Sequence, residues 1–92
     1  MLKKIGISNL NLRKKKILFK CTHRGSKELD ILLGNYVSKY IKSFSNKELD
    51  YLDVIIDFND VDLFKILTKK MKIDKKMNSN FVNKIILFNK KN

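Results

Sequence analysis

The spacing of apolar residues along the chain predicts helices. Leu29, Leu32, Leu33, Tyr36, Val37, Tyr40, Ile41 and Phe44 recur at i, i+3, i+4, i+7 and i+8 over four turns, the signature of one buried helical face. Gly34 stands inside that run. A mid-helix glycine costs up to about 1 kcal/mol relative to alanine, so its presence predicts a close helix approach. Ser45-Asn46-Lys47-Glu48 reads as a capping box. It opens a helix from about Asn46 to Phe58, with Leu49, Leu52, Ile55 and Ile56 inward. Asn59 or Asp60 then caps a helix that buries Leu63, Phe64 and Leu67 and frays around Lys69 to Lys72. After a polar connection over residues 72–78, Asn78 or Ser79 caps a last helix with Phe81, Val82, Ile85, Ile86 and Phe88 inward.

The N-terminal part is harder to read. Residues 1–8 are a loose lead-in, and Asn9 or Asn11 caps a first helix running to about Thr22. Leu12, Lys15, Lys16, Phe19 and Lys20 mix poorly on one face, so this helix needs packing from the others to form. His23-Arg24-Gly25-Ser26 breaks the pattern, and Gly25 suits the left-handed position just past a helix end. The expected fold is all-α, a small five-helix bundle in a single domain over residues 1–92 with its core at about 10–90. Short connections predict neighbouring helices packed roughly antiparallel.

Composition narrows the function. A chain of 92 residues holds one hydrophobic core. The absence of proline suits helices better than a turn-rich β domain. No apolar run approaches the roughly 20 residues of a membrane span. Gly6, Ser8, Asn9 and Asn11 break up the stretch a secretory signal would need. The single cysteine, Cys21, excludes an internal disulfide and a four-cysteine zinc site. His23, the one histidine, sits two residues from Cys21, and such residues point apart on a helix. Cys21 therefore reads as a small packed thiol. Glu48, Asp50, Asp53, Asp57, Asp60 and Asp62 do not match a calcium loop. They read as helix-start charges and a solvated face. No catalytic residues and no metal site are expected.

The formal charge of +12 raises a nucleic-acid alternative, a lysine-rich helical binding protein. Its distribution and chemistry argue against specific recognition. Residues 1–22 carry seven cations and no acid, residues 23–64 five cations and eight acids, and residues 65–92 nine cations and one acid. Of the 21 cations only Arg13 and Arg24 are arginines, and the planar arginine fork is what reads bases and grips phosphate in bidentate fashion. No specific nucleic acid is expected.

Arg24-Gly25-Ser26-Lys27-Glu28 is the segment that local physics explains least. Glu28 suits a helix N-terminus, but Arg24 finds a local role only as a weak surface ion pair with Glu28. Arg24-Gly25-x-x-Glu28, continued by Leu29-Asp30, resembles the RGxxE motif of the succinate dehydrogenase FAD assembly factors. Asn59-Asp60-Val61-Asp62-Leu63-Phe64 is similar to the acidic stretch that leads into the family's fourth helix, and the resemblance covers roughly residues 10–90. Thr22 to Gly34 looks most like the α-proteobacterial members.

The resemblance implies a five-helix bundle that is not itself an enzyme. Such a factor binds the flavoprotein subunit of succinate dehydrogenase, or in some bacteria of fumarate reductase, and promotes covalent attachment of FAD. FAD is then handled in the partner, and the factor binds no cofactor stably by itself. By the same resemblance, Arg24, Gly25 and Glu28 form the flavoprotein-binding motif, with His23 and Asp30 as interface neighbours. The free factor is expected to be a monomer. A bacterial cytoplasm fits the free cysteine, and the acid-free, basic residues 1–22 leave the mitochondrial matrix as the alternative. The chain departs from the family at Ser26, often Met; at Ile66, often an aromatic; at Val61, often Pro; and in its strong positive charge.

Overall fold

Every helix but the one beginning at Gly34, which follows Leu33 without a side-chain cap, starts where a polar side chain takes an otherwise unpaired backbone N–H. The computed structural model describes residues 10–91. The expected lead-in over residues 1–8 and the capping alternative Asn9 lie outside them. Asn11 opens α1 (Leu12–Thr22) by accepting from the Lys14 amide at 2.9 Å. Ser26 caps α2 (Lys27–Leu32) through the Leu29 amide. α3 (Gly34–Tyr40) follows after one residue and closes in a 3-10 turn over Ile41–Ser43. Ser45 and Glu48 form the reciprocal capping box of α4 (Asn46–Ile56). Asn59 caps α5 (Asp60–Leu67) at 2.8 Å from the Asp62 amide. Asn78 caps α6 (Ser79–Lys91) through the Phe81 amide.

Because α2 and α3 are two halves of one bent rod, the bundle has five rods, and no strand occurs among the described residues. The periodicity over residues 29–44 predicts one helix, but the helix is interrupted at Leu33, with φ −97° and ψ −45°. Backbone bonds still cross the bend, from the Leu33 amide to Leu29 and from the Val37 amide to Leu33. Asn89 on α6 donates to the Leu32 carbonyl at 2.8 Å, a side-chain bond at the bend. Gly34 begins the second half, where α1 crosses. A Cβ there would lie 3.0 Å from the Cys21 carbonyl oxygen and 3.2 Å from Thr22 Cγ2. The close approach expected from a helical glycine is present.

The core joins all five rods. Ile17 and Cys21 from α1 meet Leu29, Leu33, Val37 and Ile41; Leu49, Leu52 and Ile55; Leu63, Ile66 and Leu67; and Phe81, Val82, Ile85 and Ile86. Three details differ from the pattern-based expectation. α1 buries Ile17 and Cys21 and leaves Leu12 and Phe19 outside, so the face that mixed poorly is its solvent face. On α5 Ile66 is fully buried alongside Leu63, while Phe64 is only half-buried. α4 stops at Ile56 rather than Phe58, and α5 stops at Leu67. Beyond α5, Lys69 takes φ +65° and the Lys70 amide bonds back to the Lys65 carbonyl at 2.7 Å. This is a helix-ending motif that ordinarily carries glycine.

Candidate functional site

The turn between α1 and α2 is held by one arginine. Arg24 turns inward, and its side chain is only 10% exposed. It reaches across the bundle to the connection between α4 and α5. Nε donates to Asp60 Oδ1 at 2.8 Å, Nη1 to the Ile56 carbonyl at 3.0 Å, and Nη2 to the Phe58 carbonyl at 2.6 Å. Those carbonyls lie at and just beyond the C-terminus of α4, where a helix dipole favours a cation. Asp60 is the first residue of α5, where the dipole favours an anion. A planar fork with several donors is needed to serve three acceptors at once, which an ammonium group does not provide. The local Arg24–Glu28 ion pair is therefore corrected: Arg24 pairs with Asp60, and Glu28 receives a long bond from Ser26 Oγ at 3.4 Å.

The backbone of the same turn is tied from the other side. Asp30 Oδ1 accepts from the Arg24 amide at 3.0 Å, so Asp30 serves the turn from inside α2. Gly25 adopts φ +92°, a conformation that L side chains rarely take. It is not the residue just past α1, which ends at Thr22 with His23 as its cap. Gly25 instead turns the chain from Arg24 into Ser26. A Cβ on it would meet nothing within 4 Å, so the space over this backbone is open.

Two further motif residues are on the surface. Glu28 is exposed on the first turn of α2. His23 is exposed and stacks on Phe19, with ring centroids 4.1 Å apart and planes 14° apart. Its Nδ1 lies 2.9 Å from Thr22 Oγ1 and 3.1 Å from the Phe19 carbonyl oxygen. Of the five residues singled out from the sequence, His23, Gly25 and Glu28 thus form an open rim, while Arg24 and Asp30 brace it.

Sequence reasoning missed two participants. Asp60 reads as a helix-start residue, and nothing in a one-dimensional pattern marks a pair 36 residues apart. Phe19 reads as a misfit in a poor amphipathic pattern. Its signal was available in the spacing of Leu12, Lys15, Lys16, Phe19, Lys20 and His23, which itself defines a helical face.

The site offers little covalent chemistry. Burial pushes the Cys21 thiol up to about 12, with the nearby Arg24 charge opposing the shift and Asp53 adding to it. A protonated, enclosed thiol is a poor nucleophile. No cluster of metal-ligating side chains occurs among the described residues. The acidic side chains are used otherwise: Arg13 Nη2 bridges Asp50 at 2.6 Å and Asp53 at 2.8 Å, tying α1 to α4. No described helix is long and apolar enough to cross a membrane.

The sequence pattern of the family described as "Flavinator of succinate dehydrogenase" matches residues 15–89. The chain is similar to the mitochondrial succinate dehydrogenase assembly factor 2 of Candida glabrata, at 28% identity over 64 residues, covering 70% of this chain and 42% of that protein. The relative of the same name in Debaryomyces hansenii is 30% identical over 61 residues, covering 66% and 43%. Mitochondrial succinate dehydrogenase assembly factor 2-B of Drosophila yakuba is 39% identical over 57 residues, covering 60% and 36%. The chain therefore spans about two fifths of the length of the curated relatives it matches. No solved structure matches it.

Proposed function

The chain belongs to the flavinator of succinate dehydrogenase family, and from that premise we propose that it is a non-catalytic assembly factor for the flavoprotein subunit of succinate dehydrogenase. It binds that subunit, promotes covalent attachment of FAD there, and holds no cofactor of its own. The observation that carries this reading is the brace at Arg24. It joins the two segments that resemble the family, the 24–28 motif and the block beginning at Asn59, into one unit. The brace leaves Gly25 open and Glu28 exposed beside it.

The division of labour follows from that geometry. Gly25 presents bare backbone to the partner, and Glu28 and His23 supply the polar rim. Arg24 and Asp30 position the rim rather than touch the partner. Binding that favours the arrangement with the acceptor side chain and the flavin in register shifts that population and raises the rate by positioning. The relatives' names place those proteins in mitochondria. For this chain we assign the bacterial cytoplasm, on the resemblance of Thr22 to Gly34 to α-proteobacterial members, with the mitochondrial matrix as the alternative.

The test is co-purification with the flavoprotein subunit of succinate dehydrogenase from the same organism, reading covalent flavin by in-gel fluorescence. Complex formation and a gain in covalent flavin with the wild-type chain are expected. Glu28→Ala loses both without a change in melting temperature. Arg24→Ala loses both and also lowers the melting temperature. Gly25→Ala lowers both, and its strained φ costs about 1–2 kcal/mol of stability as well. Absence of a complex and of any change in flavin with the wild-type chain overturns the reading.

A further inference from the structure

The solvent face of α1 carries a stripe that neither the core nor the 24–28 brace uses. Leu12, Lys15, Lys16, Phe19, Lys20 and His23 are spaced at i, i+3, i+4, i+7, i+8 and i+11, so they lie along one side of the helix. Leu12 is 66% exposed and Phe19 60% exposed. Seven residues of helix separate them by about 10 Å. Lys15, Lys16 and Lys20 surround Phe19 and line with it an open depression of about 480 Å³. None of these three lysines makes an ion pair with a described residue. The other cations of α1 are engaged elsewhere: Arg13 holds Asp50 and Asp53, and Lys14 Nζ donates to the Lys42 carbonyl at 2.8 Å. The stripe runs directly into the rim, because Phe19 stacks on His23 and His23 adjoins Arg24-Gly25.

We infer that this stripe is a second docking surface for the same flavoprotein subunit, receiving an acidic segment whose apolar side chain packs on Phe19 while its carboxylates meet Lys15, Lys16 and Lys20. The inference rests on the assembly-factor reading and adds to it the chemistry of a second contact. Charge complementarity selects the occupant: three ammonium groups that pair with no described acid, set around an exposed aromatic ring, fit carboxylates flanking an apolar side chain. Two apolar side chains about 10 Å apart offer too little area to anchor in a bilayer, where binding scales with buried apolar surface. Lysine ammonium groups lack the fork that reads bases. Continuity with the rim lets one partner cover both surfaces.

The experiment measures affinity between the full chain and the purified flavoprotein subunit from 50 to 500 mM salt. The variants are Lys15→Gln/Lys16→Gln/Lys20→Gln, Phe19→Ser and Glu28→Ala. The triple lysine variant is expected to weaken binding about tenfold at low salt and to flatten the salt dependence. Phe19→Ser is expected to weaken it about tenfold with the salt slope unchanged. Neither should melt lower than the wild type by more than a few degrees, since the changed side chains are exposed, and the triple variant, with three fewer like charges, should melt somewhat higher. Wild-type affinity in both, with Glu28→Ala impaired, overturns the stripe and leaves the assembly-factor reading standing. No binding by the wild-type chain overturns both. Lysine-dependent binding to phosphatidylglycerol vesicles or to duplex DNA, with flavoprotein affinity unmoved by the same variant, overturns the stripe in favour of a bilayer or nucleic acid.

Discussion

Replacing Arg24 by alanine removes three side-chain hydrogen bonds and leaves the Ile56 and Phe58 carbonyls to be resatisfied by water. Hydrogen bonds to charged groups contribute about 1.5–3 kcal/mol each at most. Asp60 is 43% exposed and recovers part of its loss by hydration. A net destabilisation of about 2–3 kcal/mol is expected from chemical denaturation. Arg24→Lys should recover less than half of it, because an ammonium group lacks the fork. Full recovery by lysine would mean that charge alone holds the turn. Cys21 sets a separate expectation. Its folded-state pKa, about 12, lies above the ordinary value near 9. The unfolded chain therefore gives up the proton first, and stability falls as pH rises from about 9 toward 12. This group's share is about 1.4 kcal/mol per pH unit. Cys21→Ala should flatten the decline between pH 8.5 and 10.5 relative to wild type, as read by urea unfolding at each pH. Equal slopes in the two proteins would exclude the thiol as its source.

At the level of elements, the bend at Leu33–Gly34 decides how α1 seats on the rest. Gly34→Ala gains helix propensity of about 1 kcal/mol, yet its Cβ would press on the Cys21 carbonyl at 3.0 Å, a backbone atom with little freedom to move. Overpacking of this kind costs about 1–3 kcal/mol. A net loss of stability is expected in thermal unfolding, and a stabilised variant would show that the end of α1 yields easily. The consequence reaches the site, because Cys21 and Thr22 lead directly into the His23–Gly25 turn. Four helix caps are legible in the sequence, since Asn11, Ser45, Asn59 and Asn78 stand among its capping candidates and each caps a helix; Ser26, which caps α2, is not among them. Caps are read correctly because they depend on a side chain and an amide two or three residues away. The single uninterrupted helix over residues 29–44 was not, because its interruption at Leu33 occurs where α6 and α1 contact the rod.

For the whole molecule, charge and fold are separable. The formal charge of +12 destabilises a compact chain by self-repulsion. Raising salt from 10 to 150 mM should therefore raise the melting temperature, since screening acts on the exposed lysines more than on the mostly buried Arg24 brace. A fall in melting temperature would mean that surface pairs such as Arg13 with Asp50 and Asp53 outweigh the repulsion. The all-α class, four of the caps and most of the buried face were set by local spacing, which needs no knowledge of neighbours. Local spacing also marked the 24–28 motif as unexplained and carried the resemblance to the family. It had no means of telling which face of α1 turns inward, because Ile17 and Cys21 become core only once α3 and α4 cover them. Nor did it reveal that Arg24 serves Asp60 and two carbonyls across the bundle. Those outcomes belonged to the tertiary structure, because a buried charge takes whichever acceptors the packed helices bring within reach, and their identity depends on three-dimensional proximity rather than position along the chain.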